Sequence, residues 1–132
     1  QEDKGSKNKA ILVVEDDTSN FLLLKVYLKD TNHEILHALD GQEAINIAKN
    51  NYWVSLILMD LKMPKKDGFE ATKEIKAYNP DIPVIALTAY AMKGDRDKVL
   101  KAGFDEYIAK PVSKDDLFSL ITKFISIPEN GG

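Results

Sequence analysis

Acidic residues that could hold a metal ion and attack phosphorus stand directly after short apolar runs. Glu15 and Asp16 follow the run AILVV, and Asp60 follows the run LILM. Carboxylates held close together repel one another, and a hard divalent cation such as Mg²⁺ relieves that repulsion. A carboxylate is also a nucleophile toward phosphorus, which makes Asp60 a candidate acceptor of a phosphoryl group.

A hydroxyl and an ammonium group follow two further apolar runs. Thr88 follows PVIAL, and Lys110 follows YIA and precedes Pro111. A Lys neutralises charge on phosphoryl oxygens, and a Thr hydroxyl can donate a hydrogen bond to the same group. Any one of these residues alone is more often a helix cap or a surface charge. The whole set at successive strand ends favours a site.

The elements that must position these residues alternate along the chain. Apolar, β-branched runs predict five strands, at about 10–14, 35–39, 56–59, 83–87 and 107–109. Apolar residues at helical spacing predict a helix after each strand: from a cap within 17–19 to about 30–32, over 41–49, from about 69 to 78, roughly over 93–102, and over 114–127. Asp40 and Ser113 are the predicted caps of the second and last helices.

Strands this apolar are typical of a parallel sheet covered by helices on both faces, which is a doubly wound α/β fold. Ligands bind at the carboxyl ends of the strands in such sheets. We therefore expect Glu15, Asp16, Asp60, Thr88 and Lys110 to meet at one rim.

Composition excludes several other classes of protein. The chain has 132 residues, which fits one domain, and a net charge of −3 without a basic stripe, so neither nucleic acid nor a membrane surface is an expected partner. The absence of Cys excludes disulfides and zinc–thiolate sites and agrees with a cytoplasmic location. Residues 1–8 are interpreted as a linker or an expression remnant, 9–127 as the domain and 128–132 as a flexible tail.

Four motifs carry a resemblance to a known family. ILVVEDD, LILMDLKMPKKDG, PVIALTA and YIAKP resemble, in this order, the motifs of the receiver domain of bacterial two-component response regulators, over roughly residues 9–127. The resemblance implies a (βα)5 flavodoxin-like fold with five parallel strands in the order 2-1-3-4-5. It also implies that Asp60 accepts a phosphoryl group from a phosphohistidine with Mg²⁺ present, Mn²⁺ being the alternative ion.

The resemblance also assigns the metal ligands. Asp16 is the main side-chain ligand besides Asp60, Glu15 acts largely through metal-bound water, and the backbone carbonyl of Lys62 completes the protein ligands. A third acid, Asp17, could shift this acidic pair by one residue, but Glu15 and Asp16 directly follow the apolar run. A cis peptide bond before Pro is implied as well.

The remaining implied roles concern the switch. Thr88 and Lys110 bind the phosphoryl group, and Thr88 and Tyr107 relay its arrival to the face formed by the fourth helix, the fifth strand and the last helix. One hydrogen bond to a charged group gives roughly 1.5–3 kcal/mol, less than the roughly 5.5 kcal/mol of a full population swing, so both Thr88 and Lys110 are expected to be needed. Lys62 and Tyr90 flank the site and are candidates for tuning the phosphate lifetime.

The expected partners are a histidine kinase or a histidine phosphotransfer protein, and a downstream protein on the switch face. The chain is expected to catalyse only its own phosphorylation and dephosphorylation. Two alternatives stay open: a phosphate-blind interaction module, and an Asp-nucleophile phosphatase, which is disfavoured because Lys62 stands where such enzymes carry an acid. The residues in and around the motifs resemble those of receiver domains in hybrid sensor histidine kinases. This favours a piece of such a kinase over a stand-alone regulator, and the parent chain could then be anchored in a membrane.

Two further interpretations concern single residues. His33 and His37, around the second strand, are expected to lie away from the rim. Phe118 and Ile125 are expected to pack in the core rather than to form an exposed docking patch.

Overall fold

A computed structural model describes residues 9–51, 53–61, 67–89 and 95–126 of the chain. In these ranges strands and α-helices alternate strictly, as the sequence predicts. The strands are β1 Ala10–Val14, β2 Glu34–Ala38, β3 Val54–Asp60, β4 Val84–Thr88 and β5 Glu106–Ala109; the helices are α1 Thr18–Leu28, α2 Gly41–Asn50, α3 Gly68–Tyr78, α4 Asp95–Lys101 and α5 Lys114–Ile121. A short 3-10 helix, Lys29–Thr31, follows α1.

The five strands form one sheet in the order β2-β1-β3-β4-β5, and every neighbouring pair is parallel. This confirms the predicted doubly wound α/β fold and its strand order. Each residue of β1 is fully buried because helices cover both faces of the sheet. The registers align the strand ends, with Val14 opposite both Ala38 and Met59.

Alternation along the central strands divides the core into two layers. Ile11 and Val13 face α1 and α5, where Leu24 and Leu117 are among their buried neighbours. The intervening residues of β1 face α2, α3 and α4 on the other side of the sheet. Burying one such side chain stabilises the fold by roughly 1.5–3 kcal/mol, so the two layers together fix the position of the strand ends.

Side-chain caps fix where four helices begin. Asp17, Asp40, Asp67 and Ser113 each accept a hydrogen bond from the backbone N–H three residues later. A cap of this kind contributes about 1 kcal/mol. The caps predicted at Asp40 and Ser113 are confirmed, and the cap of the first helix is Asp17.

The predicted continuation of the last helix toward 127 is wrong over the residues described. The helix α5 ends at Ile121, and turns follow it. The N–H groups of Lys123 and Phe124 donate to the carbonyls three residues earlier, so the chain tightens and leaves the α-helical pattern. Ile127 itself lies outside the described residues.

Other boundaries move by one or two residues. Leu39, predicted as the end of the second strand, lies beyond β2 and is 47% exposed. Thr88 is the last residue of β4 rather than the first residue after it. In the part of the chain described, no helix combines the length and apolar character needed to cross a membrane.

Candidate functional site

Three carboxylates meet at the carboxyl rim of the sheet. Glu15 and Asp16 directly follow β1, and Asp60 is the last residue of β3, the neighbouring strand. One carboxylate oxygen of each residue lies within 4.8 Å of the others. Glu15 and Asp60 are 1% and 4% exposed, whereas Asp16 is open to solvent. Oxygen donors at this spacing, with one of the three exposed to water, fit a Mg²⁺ ion.

Lys110 brings a positive charge to the same rim. Its Nζ lies 3.0 Å from Asp60 Oδ2 and 3.3 Å from Glu15 Oε1. Lys110 directly follows β5, its backbone N–H donates to the Thr88 carbonyl at 2.7 Å, and the peptide bond to Pro111 is cis, as the resemblance implies. The ammonium group therefore lies between the two buried carboxylates.

The crowding shifts two pKa values in this cluster. Burial, followed by the negative charge of Asp60, raises the pKa of Glu15 to about 7, although Lys110 opposes the shift. Burial alone would lower the pKa of Lys110, but its hydrogen bond to Asp60 and the charges of Asp60 and Glu15 raise it. Lys110 thus lies against two buried carboxylates of the cluster, and the pKa of one of them, Glu15, is raised to about 7.

Asp17 caps a helix and is not part of the acidic cluster formed by Glu15, Asp16 and Asp60. Its side chain caps α1 by accepting from the Asn20 N–H, and its own N–H donates to Glu15 Oε2 at 3.2 Å. The structure brings Glu15 and Asp16 together with Asp60, so the favoured register of the acidic pair agrees with the geometry.

Gly68 lets α3 begin against the end of β3. A Cβ atom at this position would lie 2.6 Å from the backbone oxygen of Asp60 and 3.0 Å from Leu61 Cα. Asp67 caps the same helix. The Asp67-Gly68 pair therefore shapes the chain around Asp60, Asp67 through its side-chain cap and Gly68 through its lack of a Cβ atom.

Thr88 and Tyr107 lie on the adjacent strands β4 and β5. Thr88 is 6% exposed at the end of β4, in register with Ala109. Tyr107 pairs with Ala86 and is half-buried against the core layer that faces α2, α3 and α4. Lys62 and Tyr90, the other two predicted site residues, lie outside the described residues.

The prediction that His37 lies away from the rim is wrong. Its Nε2 is 2.8 Å from the backbone oxygen of Glu15, and its ring stacks on Phe21 at 3.6 Å between centroids. The register places His37 beside Val13, two residues before Glu15, and the side chain extends forward along the strand. Strand periodicity identifies β2 but not its register, so its half-polar pattern was the only signal that bears on His37.

An ion cluster on β5 has no counterpart among the predicted features. Glu106 accepts hydrogen bonds from Arg96 of α4 at 3.0 and 3.2 Å, and Lys123 lies 3.6 Å away after α5. Burial would raise the pKa of Glu106, but Arg96, the Tyr107 N–H and Lys123 lower it. Phe118 and Ile125 pack, half-buried, against the core, as predicted.

Comparison with known proteins identifies the family of this chain. Residues 11–122 match the family described as response regulator receiver domain. The chain belongs to this family, whose domains are generally switches rather than enzymes.

The relatives include both large sensor kinases and small regulators. The chain is 32% identical to the sensor protein GacS of Pseudomonas syringae pv. syringae over 92% of its own length but 14% of that protein. It is 41% identical to hybrid signal transduction histidine kinase I of Dictyostelium discoideum, covering 84% of the chain and 7% of the kinase. The polar-differentiation response regulator DivK of Brucella ovis is 34% identical, with 89% of the chain and 96% of DivK covered. The chain thus spans a small part of the two kinases and almost all of DivK.

Two solved structures are similar in fold and sequence. One is the receiver domain of the sensor histidine kinase PA1611 from Pseudomonas aeruginosa PAO1, with a magnesium ion coordinated in its active site cleft; its TM-score is 0.80 and its identity 34%, over 89% of this chain and 97% of that one. The other is the receiver domain of Ssk1 from Saccharomyces cerevisiae in a complex with the histidine phosphotransfer protein Ypd1, with a TM-score of 0.81, 32% identity and 89% of both chains covered.

Proposed function

We propose that this domain is the phosphoacceptor switch of a two-component phosphorelay and that Asp60 accepts the phosphoryl group. The observation that carries the proposal is the position of Asp60, nearly buried at the end of β3 with Lys110 Nζ 3.0 Å from its Oδ2 and two further carboxylates beside it. The Asp60 carboxylate is thus suited to act as a nucleophile beside the positive charge of Lys110.

Mg²⁺ is the cofactor that these donors fit. Glu15, Asp16 and Asp60 would hold it, together with the backbone carbonyl of Lys62. When bound, the ion supplies positive charge against the phosphoryl oxygens and the acidic cluster. The magnesium in the PA1611 receiver domain supports this choice, and Mn²⁺, which takes similar oxygen ligands, is the alternative ion.

The proposed reaction transfers phosphorus from nitrogen to oxygen. A carboxylate oxygen of Asp60 forms the O–P bond while the N–P bond of the donor's phosphohistidine breaks, and the electron pair of that bond returns to the imidazole nitrogen. Lys110 is close enough to Asp60 to neutralise charge on the transferred group, and the Thr88 hydroxyl would donate a hydrogen bond to it. The domain then catalyses its own phosphorylation and dephosphorylation but turns over no other substrate.

The signal would leave the rim through Thr88 and Tyr107. Movement of Thr88 toward the phosphoryl group would let Tyr107, half-buried on the next strand, turn inward and change the face formed by α4, β5 and α5. Lys62 and Tyr90 are proposed to tune the lifetime of the phosphoryl group through access of water to it.

The proposed partners are a histidine kinase or a histidine phosphotransfer protein as donor, and a downstream protein on the face formed by α4, β5 and α5. The complex of the Ssk1 receiver domain with Ypd1 supports a donor of the second kind. The relatives include large sensor kinases and a small regulator, so the parent chain is proposed to be either a hybrid histidine kinase or a stand-alone regulator. We place its action in the cytoplasm, free or in a membrane-anchored parent, without direct contact to nucleic acid.

The test is mass spectrometry of the protein after incubation with phosphoramidate, which carries an N–P bond like phosphohistidine, with Mg²⁺ or with EDTA. The expected result is a Mg²⁺-dependent gain of one phosphoryl group. Borohydride reduction of the acyl phosphate should then leave homoserine at position 60.

Two variants provide the controls. Asp60→Asn should gain no phosphoryl group, whereas Asp30→Asn, which alters a surface carboxylate paired with Lys114, should behave like the wild type. If phosphorylation fails with phosphoramidate, acetyl phosphate and a phosphorylated histidine phosphotransfer protein alike, the domain is a phosphate-blind interaction module.

A further inference from the structure

A side chain on the edge strand β2 contacts the backbone at the point where β1 leads into the acidic pair. The Nε2 atom of His37 lies 2.8 Å from the carbonyl oxygen of Glu15. A carbonyl oxygen can only accept, so Nε2 carries the proton and donates. The contact joins β2 to the first residue beyond β1, 22 positions away in sequence.

The same residue is held on its other side as well. The N–H of Glu15 donates to the Ala38 carbonyl at 3.0 Å. Both backbone groups of Glu15 are therefore bound to β2, one by the ordinary sheet pattern and one by the His37 side chain. The parallel ladder stops at this strand end, so His37 supplies a side-chain donor to a carbonyl beyond the last ladder pair.

The orientation of this carbonyl fixes the backbone position from which the Asp16 side chain extends. The carbonyl of Glu15 lies in one rigid plane with the N–H and Cα of Asp16. Asp16 is exposed, so core packing does not hold its side chain. A fixed peptide plane then keeps the Asp16 backbone where its carboxylate can reach Glu15 and Asp60, with which it forms the cluster.

The ring of His37 is itself held in place. It stacks on Phe21 of α1 with 3.6 Å between centroids and 2° between ring planes, and Phe21 is buried. The stack fixes the direction in which Nε2–H points. The contact thus connects α1, β2 and the end of β1 at the acidic pair.

We propose that His37 is a positioning residue for the metal site: it holds the Glu15–Asp16 peptide so that both carboxylates face Asp60. The inference rests on the proposed function, because it concerns the ion that this function requires. Groups that orient metal ligands from outside typically change metal affinity by roughly 10- to 100-fold when removed.

Two substitutions separate the hydrogen bond from the ring. His37→Phe keeps an aromatic ring that can stack on Phe21 and suits a strand, but it removes the donor. His37→Gln places a side-chain amide N–H near the position of Nε2 but removes the ring. A purely structural role would make the Gln variant the worse of the two.

The first readout is Mg²⁺ affinity, measured by calorimetry at one pH, with urea unfolding of each variant to verify the fold. We expect His37→Phe to bind Mg²⁺ roughly tenfold more weakly, and His37→Gln to stay within about twofold of the wild type. The second readout is made without metal: the amide order parameter of Asp16 by NMR should decrease in the Phe variant and persist in the Gln variant.

Wild-type affinity in His37→Phe would overturn the inference, as would an equal loss in both variants. A wild-type protein that binds Mg²⁺ but shows no difference between variants contradicts only the role of His37. A wild-type protein that binds no Mg²⁺ contradicts the proposed function itself.

Discussion

The ammonium group of Lys110 lies 3.0 Å from Asp60 Oδ2 and 3.3 Å from Glu15 Oε1, so its charge is shared between two nearly buried carboxylates. The Lys110 side chain is 24% exposed. Removing one member of such a group costs far more than breaking a surface ion pair, because buried charge is left behind. We therefore expect the metal-free domain to depend on Lys110 for stability, in addition to the role in phosphoryl transfer proposed for it.

Lys110→Met should lower the free energy of unfolding of the metal-free protein by about 3 kcal/mol at pH 8. The loss should shrink at pH 5, because Glu15, whose pKa is already raised to about 7, is then protonated. Urea unfolding at the two pH values measures this. Lys114→Met, which breaks the exposed pair with Asp30, is the matched control and should cost less than about 1 kcal/mol. Equal losses in the two variants would contradict the account.

Mg²⁺ affinity should depend on pH through Glu15. Its pKa of about 7 in the metal-free protein means that below pH 7 a proton competes with the ion. Affinity should be flat above about pH 8 and should decrease by up to roughly tenfold per pH unit below 7. Calorimetry in buffers of different ionisation enthalpy would detect the released proton. Glu15→Gln should bind more weakly but with less pH dependence; a wild-type affinity that is constant from pH 8 to 6 would contradict the role of this carboxyl group.

The raised pKa of Glu15 also affects the stability of the metal-free fold. A carboxyl group whose folded-state pKa lies above the ordinary value of 4.5 contributes stability below that value, and this contribution is lost as pH rises through about 7. As pH rises from 5 to 8, we expect the free energy of unfolding of Glu15→Gln to increase relative to that of the wild type, because Gln does not titrate. Thermal unfolding of both proteins in EDTA measures the direction of this change. A stability difference that is independent of pH would contradict the effect of the raised pKa.

Gly68→Ala should damage both fold and site. Its Cβ would lie 2.6 Å from the Asp60 carbonyl oxygen, a backbone atom, so α3 or the end of β3 must shift. We expect a loss of about 2 kcal/mol in unfolding free energy, together with weaker Mg²⁺ binding. At Gly103, φ is +109° and the space is open, so Gly103→Ala should cost about 1 kcal/mol through backbone strain and leave Mg²⁺ affinity unchanged. Weaker Mg²⁺ binding in the Gly103 variant would contradict this distinction.

The ion pair of Glu106 with Arg96 should hold α4 against β5. Because Arg96 is 54% exposed, a double-mutant cycle with Glu106→Gln and Arg96→Gln should give a coupling of about 0.5–1 kcal/mol at pH 7. The pKa of Glu106 is lowered, so its contribution is present above pH 4.5 and is lost as pH falls through the folded-state value. Urea unfolding at pH 7 and at acid pH measures both effects. A coupling near zero at pH 7 would mean that other contacts hold α4.

The sequence alone was sufficient for the architecture and for most of the rim. Runs such as AILVV and LILM are short and carry no alternation, which is typical of strands buried on both faces, and parallel strands bring their carboxyl ends to one edge. The residues that directly follow such runs, among them Glu15, Asp60 and Lys110, could therefore be assigned to one place before any contact was known.

Contacts between secondary-structure elements could not be predicted from the sequence. Periodicity identifies β2 but not its register against β1, and a shift of one residue would turn His37 to the other face of the sheet. Helix ends are similarly open: the apolar spacing of the last helix continues past Ile121, while the backbone turns there.

The sequence by itself determined the fold class and which side chains stand at strand ends, because both follow from the local order of apolar and polar residues. Only the tertiary structure decided the 3.0 Å approach of Lys110 to Asp60, the contact of His37 with the Glu15 carbonyl and the raised pKa of Glu15. These depend on distances between groups up to 95 positions apart in the chain and on their burial, which packing of the whole sheet sets.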